Sequence, residues 1–266
     1  MTTQEILARR HMQQQVRDVA RLQVILAELW DRTMDPADID GSFLRFQAQA
    51  SAVIKAGRRS GELTAQEYYD ASKVLAGYDK PAPDVEFQPT ETKANRAALH
   101  ATSVANAKKA IANGTPADQA LTAAKAAMLR SAKRRILEAP RRRIIALADA
   151  DGDTRGWARV SDGKPCHFCA MLLGRGPIYS AGTASFSAHD GCGCSAKPVF
   201  KNDRTGGWDP TSRRLNDLYK ASTRDVGGFW RTDYAYAVAH PELSLEELQA
   251  AFDERHAAYF AARQTS

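Results

Sequence analysis

The sequence predicts a mainly α protein: a helical amino-terminal region joined to a small α+β domain in the carboxy-terminal half. Three observations carry this expectation. Apolar residues recur with steps of three and four over long stretches of the first 140 residues. Residues 92–140 are rich in alanine, the best helix former. All four cysteines then fall between residues 166 and 194, where glycines and turn signals replace the helical period.

Taken in order, residues 4–30 place Met12, Val16, Val19, Leu22, Leu26 and Leu29 on one stripe, as a helix burying one face does. A break at 31–41 (DRTMDPADIDG) follows. A second helix carries Phe43, Phe46, Ala50, Val53 and Ile54 and is expected to stop near Gly57–Gly61. Thr64 with Glu67 reads as a capping box opening a third helix through Tyr68, Tyr69 and Leu75. These elements form an expected amino-terminal helical region, 1–78. Three prolines in 79–91 predict an extended linker.

An alanine-rich helical pair is expected over 92–140. Asn113-Gly114 ends its first member, Thr115 caps the second with Pro116 at the first position, and Pro140 ends or kinks it. Residues 141–200 form the expected small module, with Ile144-Ile145 and Trp157-Ala158-Arg159-Val160 as short strands flanking the turn Asp151-Gly152-Asp153. Helical pattern returns over 201–266, where Ser244 and Glu247 make a capping box before Leu248, Phe252 and Tyr259.

At 266 residues the chain is long enough for a real core. No run reaches the roughly 18–20 apolar residues of a membrane helix, so no membrane partner is expected. The opening MTTQEILARRHMQQQ lacks a signal peptide's apolar stretch, which predicts assembly in a cytoplasm. The net charge of +6 is concentrated in Arg130, Lys133, Arg134, Arg135, Arg141, Arg142 and Arg143, opposed in that stretch by Glu138 alone. Such a stripe can neutralise phosphates, line a solvated helix face, or dock an acidic protein surface.

The cysteine pattern carries the chemistry. Cys166 and Cys169 have the C-x2-C spacing of a zinc knuckle, and His189, Cys192 and Cys194 follow as H-x2-C-x-C. Clustered thiols without a secretory signal favour metal over disulfides, and Cys192 and Cys194 are too close to bridge comfortably. A C-x-x-C redox motif is the rival reading, but it needs no second cluster. Zinc takes four ligands and five candidates are present. The expected set is Cys166, Cys169, His189 and either Cys192 or Cys194, with an all-thiolate set as the alternative. His167 is expected to face solvent. No H-E-x-x-H, H-x-E…P-C-x-x-C or G-x-S-x-G pattern accompanies the cluster, so a structural Zn2+ is favoured over a catalytic one.

Asp162, Cys166, Cys169, Leu172, Gly174, His189, Cys192 and Cys194 together resemble the carboxy-terminal signature of MuF-type minor head proteins, the head-morphogenesis proteins of tailed phages. The helical region before them resembles the MuF-like proteins of actinobacterial phages. Asp190 and Gly193 stand where the commoner H-P-x-C-R-C ending has proline and arginine, and Leu172 to Tyr179 would supply the hairpin between the ligand pairs. The resemblance implies a non-enzymatic minor capsid protein in the virion, at the portal vertex. Its implied partners are the portal, the scaffold or major capsid protein, and packaged DNA. Two other functions compete. A head maturation protease would draw on Ser180, Ser185 or Ser187 beside His189 and Asp190. A zinc-bearing nucleic-acid-binding protein would use Lys164, Arg175 and Lys197.

Overall fold

The computed structural model describes residues 2–87, 92–163, 165–177, 186–223 and 230–264. Helix α1 (Thr3–Thr33) opens on a capping box: the Thr2 hydroxyl accepts from Glu5 N–H at 3.2 Å, and the Glu5 carboxylate accepts from Thr2 N–H at 2.7 Å. Helix α2 (Ile39–Leu75) runs back along it, with the Asp38 carboxylate capping Gly41 N–H. Next come α3 (Thr92–His100), a π-helical turn (Ala101–Ala105) and α4 (Asn106–Ala112), then the long α5 (Ala117–Ala150). Strand β1 (Thr154–Val160), helix α6 (His167–Gly174) and strand β2 (Ser195–Phe200) precede α7 (Pro210–Thr223), α8 (Trp230–Ala239) and α9 (Leu245–Gln264). The mainly α class with a small α+β module is therefore the observed one.

Three apolar cores organise these elements. Val19, Leu26 and Trp30 of α1, Phe46 and Ile54 of α2, Leu99 and Val104, and Met128, Ile136 and Leu137 of α5 form the first. A second joins Met12, Tyr69, Ile144 and Leu147 to Trp157 and Val160 of β1 and Ala196 of β2. A third packs Ala170 and Leu173 of α6 on Leu215, Leu218, Tyr234, Leu248 and Phe252. The first core spans the expected 1–78 and 92–140 regions, and the second joins 1–78 to 141–200.

Several local expectations are corrected. Gly57 and Gly61 do not end a helix; α2 continues through both to Leu75. They are points of close approach. A Cβ on Gly57 would lie 2.5 Å from Leu22 Cδ1, and one on Gly61 would lie 3.0 Å from Pro140 Cδ. The Thr64 hydroxyl consequently donates back to the Gly61 carbonyl instead of capping a new helix. Pro140 does not end α5 either. Its ring rests on Gly61, and buried Arg58 donates from α2 to the Arg135 carbonyl just before it. Ile144 and Ile145 are the last turns of α5, not a strand, with Ile144 fully buried. Pro116 rather than Thr115 is the residue that precedes α5, with no side-chain cap.

Other expectations hold. Asn113 is the C-cap of α4, with Gly114 at φ +88. Trp157–Val160 lies in β1, which pairs antiparallel with β2. Ser244 and Glu247 cap each other at 2.7 and 3.2 Å, with Leu248 and Phe252 buried behind them. The Tyr259 side chain lies outside the described residues.

Two buried polar groups tie the ends of the long helices to the sheet module. Lys73 donates to Asp151 at 2.6 Å and Tyr69 donates to the same carboxylate oxygen at 2.9 Å, with Asp153 at 3.1 Å from the ammonium. Burial opposes ionisation of Asp151, but Lys73, the Asp153 N–H and Tyr69 outweigh it and hold its carboxyl below the usual range. His11 stacks on Tyr68 at 4.2 Å and lies 2.8 Å from the Gln15 amide, and Gln15 in turn accepts from Ser195 of β2.

Gly61→Val should lower unfolding free energy by about 1–3 kcal/mol, because the Pro140 ring cannot yield. A glycine that merely weakened its helix would instead give a gain on replacement, so a stabilised variant in denaturant melts would contradict the close-approach account. His11 supplies a pH dependence. Burial pushes its imidazole down to about 4. The folded state holds it neutral while the unfolded chain takes up a proton below about 6.5. Stability should therefore fall as pH drops from about 6.5 towards 4, by roughly 2 kcal/mol at pH 5. His11→Gln should flatten that slope in denaturation measured across the same range.

Candidate metal centre

The sheet brings the two halves of the cysteine pattern together. Val160, at the end of β1, pairs with Ser195, the first residue of β2. Cys194 thus sits directly before one strand while the chain leaving the other turns into α6. Cys166 is the N-cap of that helix, and its sulfur accepts from Cys169 N–H at 3.5 Å. Cys169 falls in the first turn of α6, is 1% exposed, and belongs to a helix whose next residues enter the third core.

Five donors converge. His189 Nδ1 lies 3.6 Å from Cys166 Sγ and 3.7 Å from Cys169 Sγ, and Cys169 Sγ lies 3.6 Å from Cys192 Sγ. The ligand atoms form two trios that share Cys169: Cys166, Cys169 and His189, and Cys169, Cys192 and Cys194, each within 4.8 Å. Separations of this size are edges of a small coordination polyhedron with metal–ligand bonds of about 2.0–2.3 Å. The donor set fits a thiophilic divalent ion, and the cluster lies close enough to bind one.

The sulfurs are electrostatically unequal. Hydrogen bonds from Cys169 and Cys194, aided by the Arg141 guanidinium, hold the Cys192 thiol far below its ordinary value. Hydrogen bonding to Cys192 and to Cys194, together with burial, pushes Cys169 up. The Cys169 contact pulls Cys194 down, but the bond to Cys192 and burial outweigh it and leave Cys194 at about 12.

Helix α5 fixes the second pair. Arg141, 2% exposed, donates through Nε to the Cys194 carbonyl and through Nη2 to the Cys192 carbonyl, both at 2.8 Å. Gly191, at φ +89, donates to the Arg130 carbonyl at 3.1 Å, and Cys192 N–H donates to the His189 carbonyl. Asp190 pairs with Arg134 at 3.4 Å. A Cβ on Gly193 would lie 2.3 Å from Asp162 Oδ2, so the turn and Asp162 are in close contact. These contacts are what Asp190 and Gly193 make in the places where proline and arginine are commoner.

The basic stripe is split by the fold. Arg141 and Arg143 are corrected: they are buried and cannot meet a nucleic acid at the surface. Arg143 donates to Gln66 and to the Val85 carbonyl. Arg135 and Arg142 pair with Glu138, and Arg134 with Asp190; Arg130, Arg134 and Arg142 are exposed, and Lys133 and Arg135 are half-buried along α5. Of the other predicted residues, His167 is exposed as expected, and Arg175 is exposed beyond α6. Lys197 is buried against Asp209. Lys164, Ser180 and Ser185 lie outside the described residues, as do Ile178 and Tyr179 of the expected hairpin. The described start of that hairpin, Leu172–Gly174, is helical. Ser187 is exposed, and its carbonyl accepts from Arg159.

Sequence reasoning missed Arg159 and Phe186 and misread Arg141. A strand pattern in which Arg159 stands among Trp157, Ala158 and Val160 was the available signal, since a charged residue on a strand buried on both faces needs a partner inside.

Fold and site together define a mainly helical protein carrying, beside a two-stranded sheet, a cysteine–histidine cluster whose donors lie close enough to bind a metal. The family model described as VG15 protein matches residues 1–222, a span that includes all five donors. The chain belongs to this family and is a phage-related protein. No curated protein and no solved structure matches it. No helix among the described residues is long and apolar enough to cross a membrane.

Because Cys169 belongs to both trios, Cys169→Ser should cost more than any other single donor change. With cobalt(II) as the probe, the wild-type chain should show thiolate charge-transfer absorption, and the Cys169 variant should lose most of it. Equal losses for Cys169→Ser and Cys166→Ser would show that Cys169 is no more central to the site than Cys166 and would contradict this ranking.

Proposed function

We propose that this VG15-family chain is a structural minor capsid protein of a tailed phage, MuF-like in its carboxy-terminal module, that associates with the portal during procapsid assembly. The observation that carries the reading is the family match over residues 1–222, which runs from the amino-terminal helices through the whole cysteine–histidine module. The arrangement of the module supports it. Its donors bind one segment of chain to another across a two-stranded sheet, and Cys169, Cys192 and Cys194 are buried, as suits a structural ion with no open position. The resident metal in this reading is Zn2+, favoured by sulfur and imidazole donors in a tetrahedral set.

The role is one of binding rather than catalysis. In support of this reading, His189 turns Nδ1 to the sulfurs and Asp190 pairs with Arg134. The partners in this reading are the portal and the scaffold or major capsid protein, in the virion at the portal vertex. Packaged DNA would meet the accessible part of the α5 stripe, Arg130, Lys133, Arg134 and Arg142.

Cross-linking mass spectrometry of assembled heads tests this directly. The expected result is cross-links from this chain to the portal, in heads whose purified chain carries close to one zinc. Absence of the chain from heads and procapsids would overturn the reading. So would cleavage of capsid or scaffold protein by the purified chain that a single serine substitution abolishes.

A further inference from the structure

Behind the donor cluster lie two arginines that the surface does not see. Arg159, on β1, is 3% exposed, and Arg141, on α5, is 2% exposed. Their guanidinium carbons stand 3.7 and 4.7 Å from the centre of the Phe186 ring, three residues before His189. Arg141 spends its hydrogen bonds on the carbonyls of Cys192 and Cys194. Arg159 donates Nη2 to the Ser187 carbonyl, while its Nε and Nη1 are buried and have no hydrogen-bond partner among the described residues. Among the described residues neither arginine forms an ion pair with a carboxylate; the ion pairs of this region are those of Arg134 and Lys197 with Asp190 and Asp209.

Two buried cations with neutral partners only are an unfavourable arrangement unless an opposite charge lies nearby. Carbonyl oxygens satisfy hydrogen bonds but do not cancel charge. Asp162, the carboxylate packed against Gly193, is half-exposed and screened by water. The remaining source of buried negative charge is the sulfur cluster. A divalent ion held by three thiolates and an imidazole stays anionic overall, and one held by four thiolates is more so. A centre of that kind needs cations around it, and Phe186 keeps both guanidiniums beside the loop that supplies His189, Cys192 and Cys194.

We propose that Arg159, together with Arg141, is the built-in counter-charge of the metal–thiolate centre, and that Arg159 sets how tightly the centre holds its ion. The inference rests on the metal reading of the cluster. Arg159 touches no donor atom; it is a positioning and charge-compensating residue. Arg141 has a second task, holding the turn, so Arg159 is the cleaner one to alter.

A counter-charge has a signature that a packing role lacks: the effect of removing Arg159 changes sign with the metal. In the metal-free chain Arg159 is a buried cation lacking full compensation, so an apolar side chain of similar length should leave stability unchanged or raise it. In the loaded chain the same change removes a counter-charge, and affinity should fall. Full-length wild type, Arg159→Met and Arg159→Lys would be compared by zinc competition against a chromophoric chelator and by denaturant unfolding in EDTA. Arg159→Met should bind zinc ~10- to 100-fold more weakly, as loss of outer-shell partners does. Arg159→Lys should recover most of the affinity, and the metal-free Met variant should be at least as stable as wild type. Zinc affinity within about twofold of wild type in Arg159→Met, or a metal-free Met variant that has lost stability, would overturn the proposal while leaving the metal reading intact. A wild-type chain that takes up no zinc would instead remove the metal reading, and this proposal with it.

Discussion

The body of this protein depends on burying one long helix, α5, from several sides at once. Alanines along it let neighbours come close but each hides little apolar area, so the stabilisation has to come from what those neighbours bring. Trp30, Phe46 and Ile54 bring it on one stretch and Tyr69, Trp157 and Val160 on another. The approach of α2 is set by Gly57 and Gly61, where Leu22 and the Pro140 ring occupy the room a side chain would need. Polar contacts then fix the register: Gln23 to the Leu129 carbonyl from α1, Arg58 to the Arg135 carbonyl and Tyr69 to Asp151 from α2. With α5 fixed in this way, Arg141 is delivered to the carbonyls of Cys192 and Cys194. The turn carrying His189, Cys192 and Cys194 is therefore positioned by the same helix that organises the bundle.

The legibility of the chain follows the range of the interactions involved. Helical stripes and the Ser244–Glu247 cap are local, since partner residues lie within a turn or two of one another, and the sequence shows them directly. The donor cluster was legible for a different reason: four cysteines in two close pairs with a histidine between them leave few alternatives to one centre. What stayed hidden was tertiary. A glycine at 57 or 61 reads the same whether a helix ends there or another helix presses on it, and only Leu22 and Pro140 decide between the two. Pro140 carries the same ambiguity, because Arg58 and Gly61 belong to another element. Ile144-Ile145 has strand-like composition but lies within the last turns of a helix already committed by the contacts before it. Thr64 followed by Glu67 satisfies the capping pattern, yet the hydroxyl turns back to Gly61 once the helix runs through.

Charge was the least legible property of all. Seven basic residues in fourteen positions look like one surface, but successive side chains on a helix are turned by about 100°, so a helix buried on several sides sends neighbours to different surroundings. Arg141 and Arg143 point inward to carbonyls and Gln66, and Arg135 and Arg142 converge on Glu138. The stripe is thus two things at once: an internal scaffold for the linker and the cysteine turn, and an external strip around Arg130, Lys133, Arg134 and Arg142. Net charge counted along the sequence overstates what a phosphate could meet, since long-range attraction acts through the exposed fraction.

The division of the donors between elements gives the centre a consequence beyond its own turn. Cys166 and Cys169 belong to α6, and the next residues of that helix, Ala170 and Leu173, are packed into the core formed with α7, α8 and α9. His189, Cys192 and Cys194 belong to the turn that Arg130, Arg134 and Arg141 hold against α5. An ion shared by the two sides would bond the carboxy-terminal helical core to the amino-terminal bundle across a sheet of only two strands, itself too small to be stable without neighbours. The free energy of metal binding would then be stored as docking free energy between the two cores. Cys169 is the point where this coupling concentrates, because it belongs to both donor trios and is followed directly by the residues of the third core. A metal that left the site would loosen α6 from the α5 turn first, while the first core, which contains no donor, would keep its packing.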